Sequence, residues 1–213
     1  MEIKVLGIAG VAKVGKDTFC ADVLSFLSQQ GIKCKRLAFA DALKNDLQDF
    51  LLAKTGVNVY TDDPDSKELI RPLMVEYGKL MRDITKGKYW VGKVKSEVEE
   101  NLKNNTISVI SDVRYPNEAQ WINSLEGGIT VHLFRNGILP ANKEEVDQDP
   151  LTLKKCTLSL SWSNLEADLI KTQSLKHFNA ITQHLIKNRP RASGHSSEAS
   201  RKRKSAKRTH SSA

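Results

Sequence analysis

Residues 7–20 read GIAGVAKVGKDTFC, with glycines at 10 and 15 and a lysine at 16, directly after the apolar run IKVLGIA at 3–9. That run is short and stops at glycine, the pattern of a strand buried on both faces of a parallel sheet. After Lys16, Phe19, Val23 and Leu27 fall on one helical stripe with Leu24 alongside, and Gly31 supplies a C-terminal stop. A strand, a glycine turn and a helix N-terminus, in that order, present backbone N–H groups to a phosphate. The lysine then reaches the β- and γ-phosphates, and a hydroxyl or carboxylate beside it helps to hold Mg2+. A bare Gly-x-x-x-x-Gly-Lys string is cheap, but one set between a strand and an amphipathic helix is not. The expected ATP contacts are therefore Gly10, Lys13, Gly15, Lys16, Asp17 and Thr18. Asp17 stands where the motif has Ser or Thr, and Thr18 comes one place late. Lys13 has two readings, a phosphate contact or a solvated loop lysine.

Strand and helix signals alternate beyond the loop. KRLAFA at 35–40 reads as a second strand, followed by a helix from about 42 to 52 and a loop at 58–66. Two helices are expected at about 66–84 and 90–103, a third strand at 106–111 and a helix opening at Pro116. ITVHLFR at 129–135 reads as a fourth strand, ADLI at 167–170 as a short last one, and 174–187 as a closing helix with Leu175, Phe178, Ile181 and Leu185 inward. Residues 136–163 carry little pattern and two prolines, and read as a mobile excursion. This alternation predicts an α/β fold of the P-loop NTPase type, three layers αβα around a mainly parallel five-stranded sheet.

The 213 residues suffice for one sizeable core, expected over 1–187. The net charge of +8 misleads as a whole-molecule figure, because residues 187–213 hold nine Lys/Arg and one Glu, leaving 24 basic and 24 acidic residues in 1–186. The stretch 188–213 has no large apolar residue and is expected to be disordered. Its run Arg201–Lys204 fits an import-receptor signal, a nucleic-acid contact or a solubilising tail. No apolar run is long enough to span a membrane, and the start of the chain has no signal-peptide pattern. Three cysteines without metal spacing suit a reducing compartment, so a cytoplasmic or nuclear location is expected.

A second constellation is TISVISDVRYPNEAQW at 106–121. Asp112 ends an apolar strand, where an acid faces Mg2+ held beside the loop; the alternative is a helix cap. Arg114 is placed either to meet a phosphate bidentately or to form a surface salt bridge. Asn117 and Glu118 open the next helix, where they serve its electrostatics or touch substrate. Arg71, Lys79, Arg82, Lys86 and Lys88 lie on the helices between the second and third strands. A kinase of a small phosphorylated molecule must neutralise a phosphate besides those of ATP, which singles out Arg71 and Arg82, eleven residues apart; the alternative is a charged solvent face. No Asn/Thr-Lys-x-Asp string for reading guanine is present.

Four blocks in order resemble the viral deoxynucleoside monophosphate kinases, a branch of the P-loop nucleoside monophosphate kinases. They are Gly15-Lys16-Asp17-Thr18, Phe39-Ala40-Asp41-Ala42-Leu43-Lys44, the series Arg71, Gly78, Arg82 and Trp90-Val91, and Ser111-Asp112-Val113-Arg114-Tyr115-Pro116-Asn117-Glu118. Where that family carries His-x-Ser-Glu before its last strand, this chain reads Ser161-Trp162-Ser163-Asn164. The blocks look more loosely like animal phosphomevalonate kinases. The resemblance implies ATP and Mg2+ as cofactors, a deoxynucleoside monophosphate as substrate, a helical monophosphate-binding insertion and a short lid. Lys16, Arg82 and Arg114 are then catalytic; Lys44, Arg71, Arg82, Trp90 and Arg114 bind substrate, with Trp90 either walling the base pocket or filling the core. Asp17, Thr18 and Asp112 position the metal. The lid falls near 135–155, with Arg135, Lys143, Lys154 or Lys155 reaching the transferring group. The competing class is a nucleotide-binding protein without kinase activity.

Overall fold

The computed structural model describes residues 3–162, 176, 178 and 179. Its elements are β1 (Val5–Ala9), α1 (Lys16–Gln29), β2 (Cys34–Leu37), α2 (Phe39–Thr55), α3 (Pro64–Thr85), α4 (Lys88–Lys103), β3 (Ile107–Val113), α5 (Pro116–Ser124), β4 (Gly128–Arg135), α6 (Lys143–Leu153) and β5 (Leu158–Trp162). The strands lie in the order β2-β3-β1-β4-β5, and every pairing is parallel. With helices on both faces, this is the three-layer αβα arrangement of a P-loop fold.

The central position of β1 follows from its composition. All five residues are buried, so the strand needs an apolar partner on each face. Leu6 and Ile8 face α1, where they meet Phe19, Val23 and Leu27; Phe178 joins this cluster and stacks edge-to-face on Phe26 at 5.5 Å. Val5 and Ala9 face the opposite layer with Trp90, Val94 and Val98 of α4 and Ala119 and Ile122 of α5. Each fully buried side chain of this size contributes about 1.5–3 kcal/mol.

α2, α3 and α4 form an insertion between β2 and β3 with a small core of Leu47, Leu51, Val59 and Ile70. Asp46 ties its three helices, accepting hydrogen bonds from the Tyr77 and Tyr89 hydroxyls at 3.2 and 2.7 Å and from Lys93 at 2.8 Å. Gly78 lets α3 lie against α2, since a Cβ there would come within 2.9 Å of Leu43 Cδ1.

Of the segment 136–163, which the sequence pattern leaves as an excursion, the described residues 136–162 instead contain α6 and β5. The sheet's fifth strand is thus 158–162, paired through Val131↔Leu158 to Arg135↔Trp162, and the strand expected at 167–170 lies outside the described residues. So do the tail 188–213, Ser163-Asn164, and most of the closing helix at 174–187. No helix among the described residues is long and apolar enough to cross a membrane.

Candidate functional site

The chain lays down β2 and β3 on one side of β1 before crossing to β4 and β5 on the other, so the strand order reverses at β1. In an open α/β sheet, ligands bind in the crevice outside the carboxyl ends of the strands at such a reversal. The loop 10–15 fills that position. Gly10 has φ +130°, and a Cβ on it would stand 2.6 Å from Leu133 O of β4. Gly15, at φ +103°, caps α1 without a side-chain hydrogen bond. Lys13, exposed between them, holds a left-handed φ of 63°, which costs a non-glycine residue about 1 kcal/mol or more.

Lys16 is 8 % exposed and donates from Nζ to Gly10 O at 2.7 Å and Val11 O at 2.8 Å. Burial pushes its pKa down, and the Arg114 guanidinium pushes it further; Glu145 is the strongest of the acids that oppose this, ahead of Asp17 and Asp112. Asp17 and Thr18 are exposed in the first turn of α1.

Asp112 is held at the tip of β3. Its Oδ1 accepts from Phe39 N and its Oδ2 from Ala40 N, both at 2.8 Å. It thereby caps α2, whose own N-cap residue, Ala38, has no side chain to do so. The helix that Asp112 serves is thus one from earlier in the chain, not the helix that follows it. Burial nevertheless raises its pKa. Each oxygen accepts a single N–H here and keeps a further lone pair for a cation.

Glu118 organises the turn after β3. One oxygen, Oε2, accepts from Arg114 N at 2.8 Å and Tyr115 N at 3.1 Å. Burial pushes its pKa up to about 7. Asn117 donates to Gly87 O at 2.8 Å and so binds the α3–α4 turn to α5. Both residues hold the site's frame. Arg114 O accepts from the Thr152 hydroxyl at 2.9 Å, and Arg114 Nη1 lies 3.5 Å from Glu145 Oε1.

Arg82 reaches the same region from α3. Its guanidinium carbon lies 3.8 Å from the centre of the Tyr115 ring, and its buried Nε has no hydrogen-bond partner among the described residues. The Tyr115 hydroxyl donates to Glu144 of α6. Lys16, Arg82, Arg114 and Asp112 are therefore gathered at one end of the sheet.

Other expected substrate residues are placed elsewhere. Arg71 is exposed and pairs with Glu68 on its own helix at 2.9 Å. Lys44 lies over the Tyr60 ring at 5.4 Å. Trp90 is 2 % exposed, donates to Gly78 O at 3.2 Å and packs edge-on against Tyr77 and Tyr89, which makes it a core residue. Lys79, Lys86 and Lys88 are exposed.

In the segment expected to act as a lid, it is an acid that reaches the loop, while Lys143, Lys154 and Lys155 are exposed. Glu145 Oε1 accepts from Ala12 N at 3.0 Å and Glu145 Oε2 from Ala141 N at 2.8 Å. α6 is further tied down by Asp149, which meets the buried His132 Nε2 at 2.8 Å. Glu144, Glu145 and Tyr115 are site residues that the sequence reading does not supply. Glu144 and Glu145 fall in the stretch that reads as a mobile excursion, and Tyr115 reads only as a substituted phenylalanine.

No family model and no curated protein matches this chain. Among solved structures it is similar to TT1252 from Thermus thermophilus (17 % identity, TM-score 0.45), over 85 % of this chain and 98 % of the other. It is also similar to shikimate kinase from Acinetobacter baumannii (11 %, TM-score 0.45), over 85 % and 94 %, and to a gluconokinase from Sinorhizobium meliloti (11 %, TM-score 0.43), over 88 % and 98 %.

Proposed function

We propose that this chain is an ATP-dependent phosphotransferase that converts deoxynucleoside monophosphates to diphosphates. One juxtaposition carries the reading. A backbone N–H of the glycine loop and the Arg114 guanidinium converge on a single carboxylate oxygen, at 3.0 and 3.5 Å. An oxyanion is thus already the ligand that this crevice takes, with Lys16 beside it. The N–H groups of residues 10–18 hold the ATP phosphates, and Lys16 bridges the β- and γ-phosphates. Arg82 supplies a guanidinium held over the Tyr115 ring, with a donor unused among the described residues, for the phosphate of a second substrate. Asp17, Thr18 and Asp112 would hold Mg2+, which would neutralise phosphate charge. The preference for a deoxynucleoside monophosphate comes from the four motif blocks.

An oxygen of the monophosphate attacks the γ-phosphorus, a P–O bond forms, the bond to the β-phosphate oxygen breaks, and ADP leaves. The attacking oxygen is already anionic, so no strong base is required, and positioning with charge neutralisation sets the rate. The test is ADP release with dAMP, dCMP, dGMP, dTMP and phosphomevalonate offered in turn. Stimulation by at least one deoxynucleotide is expected. Stimulation by phosphomevalonate alone replaces the substrate, and stimulation by none leaves a nucleotide-binding protein.

A further inference from the structure

We propose that Glu145 is a resident competitor of the nucleotide phosphate, a carboxylate that holds the anion seat of the glycine loop until a phosphate displaces it. The inference rests on reading the loop as a nucleotide site and assigns that site its regulator.

Glu145 reaches Ala12 N from 133 residues away in sequence. Its side chain is only 11 % exposed, so the contact is made largely out of water. The plainer role, a local cap of α6, accounts for half of the carboxylate. Asn142 Oδ1 accepts from Glu145 N at 2.9 Å, and Glu145 Oε2 accepts from Ala141 N at 2.8 Å. Oε1 contributes nothing to that cap. It is turned to the loop, where it meets Ala12 N at 3.0 Å and Arg114 Nη1 at 3.5 Å.

The electrostatics explain why an acid is tolerated there. Lys16 and Arg114 are two cations close enough to oppose each other's charge, and Lys16 is also desolvated. Glu145 leads the groups that offset this, ahead of Asp17 and Asp112. A phosphate brings the same kind of charge to the same donors, and Ala12 N has one hydrogen to give. Carboxylate and phosphate therefore exclude each other. Displacing the carboxylate weakens nucleotide binding by the strength of its charge-assisted bonds. A residue that instead positioned the loop would act in the opposite direction, its loss weakening binding.

The opposed signs define the experiment, which is calorimetric titration of the full-length protein with ADP. Wild type is compared with Glu145→Ala and with Glu145→Gln, which keeps an acceptor for Ala141 N and removes the charge; thermal melts confirm folding. Glu145→Ala is expected to bind ADP about tenfold tighter than wild type, and Glu145→Gln by an intermediate factor. Equal or weaker binding by a folded variant overturns the proposal and leaves the nucleotide site standing. Absence of ADP binding by wild type and both variants overturns the nucleotide reading and this proposal with it.

Discussion

Burial leaves Lys16 with two loop carbonyls, Gly10 O and Val11 O, as its hydrogen-bond partners. Its removal takes a charge from the crevice while sparing the apolar core. Lys16→Ala is therefore expected to lower turnover by about a hundredfold or more, the scale of losing one preorganised donor to developing charge. The thermal midpoint should move by no more than about 4 °C, and a kinetic assay paired with a melt checks both. Arg82 makes a different demand, because its guanidinium carbon lies over the Tyr115 ring, 3.8 Å from its centre. Arg82→Lys keeps the charge and loses the forked guanidinium donors over the ring, so KM for the monophosphate is expected to rise about tenfold with KM for ATP unchanged. A rise confined to ATP assigns this arginine to the nucleotide instead. Lys16 and Arg114 are legible in the sequence because each sits in a motif a few residues long whose backbone is locally determined. Glu145 is not, because its partner at Ala12 is brought near only by the parallel pairing of β1 with β4 and the return of α6.

At the scale of elements, β1, β3, β4, α1 and α4 are legible because each buries an apolar run or stripe. α6, with the sequence KEEVDQDPLTL, buries only Thr152 and carries a proline inside it at 150. It is held by Glu144, Glu145, Asp149 and Thr152 reaching polar partners on other elements. Helices fixed this way carry no 3.6-residue apolar repeat, which is why the sequence leaves this one unread. β5 is a different case, since Leu158-Ser-Leu160-Ser-Trp162 alternates with the period of a strand, a signal present but short. In α3 the close approach at Gly78 makes a prediction. Gly78→Val drives a branched side chain into Leu43 and crowds the carbonyl that accepts from Trp90. A loss of about 1–3 kcal/mol in urea unfolding is expected, and an unchanged midpoint would show that α3 can shift outward freely.

For the molecule as a whole, Glu118 is a buried acid that couples stability to pH. Its folded-state pKa of about 7 lies above the ordinary 4.5, so the folded protein holds the proton more tightly than the unfolded chain. The resulting stabilisation is full below pH 4.5 and is lost as the pH rises through 7, on the order of 3 kcal/mol in all. Glu118→Gln retains an oxygen for both N–H groups, since Arg114 N and Tyr115 N share one acceptor atom. The variant is expected to lose less unfolding free energy than wild type between about pH 5 and pH 8. Parallel curves for the two proteins would show that Glu118 is ionised throughout.

The sheet order has a consequence for how the chain comes into being. β1 is paired on both edges, yet its partners begin at Ile107 and Gly128 of a 213-residue chain. During synthesis the strand that leads into the glycine loop emerges well before both neighbours and then waits about 5–25 s for them, at about 5–20 residues per second. For that interval an apolar strand stands with its N–H and C=O groups exposed, a template for pairing with other nascent chains. The helices of the insertion can form meanwhile from local contacts, but the loop cannot close until β4 supplies the backbone on which Gly10 rests. The phosphate-binding end of the fold thus precedes its sheet partners in the chain and is among the last parts to be assembled.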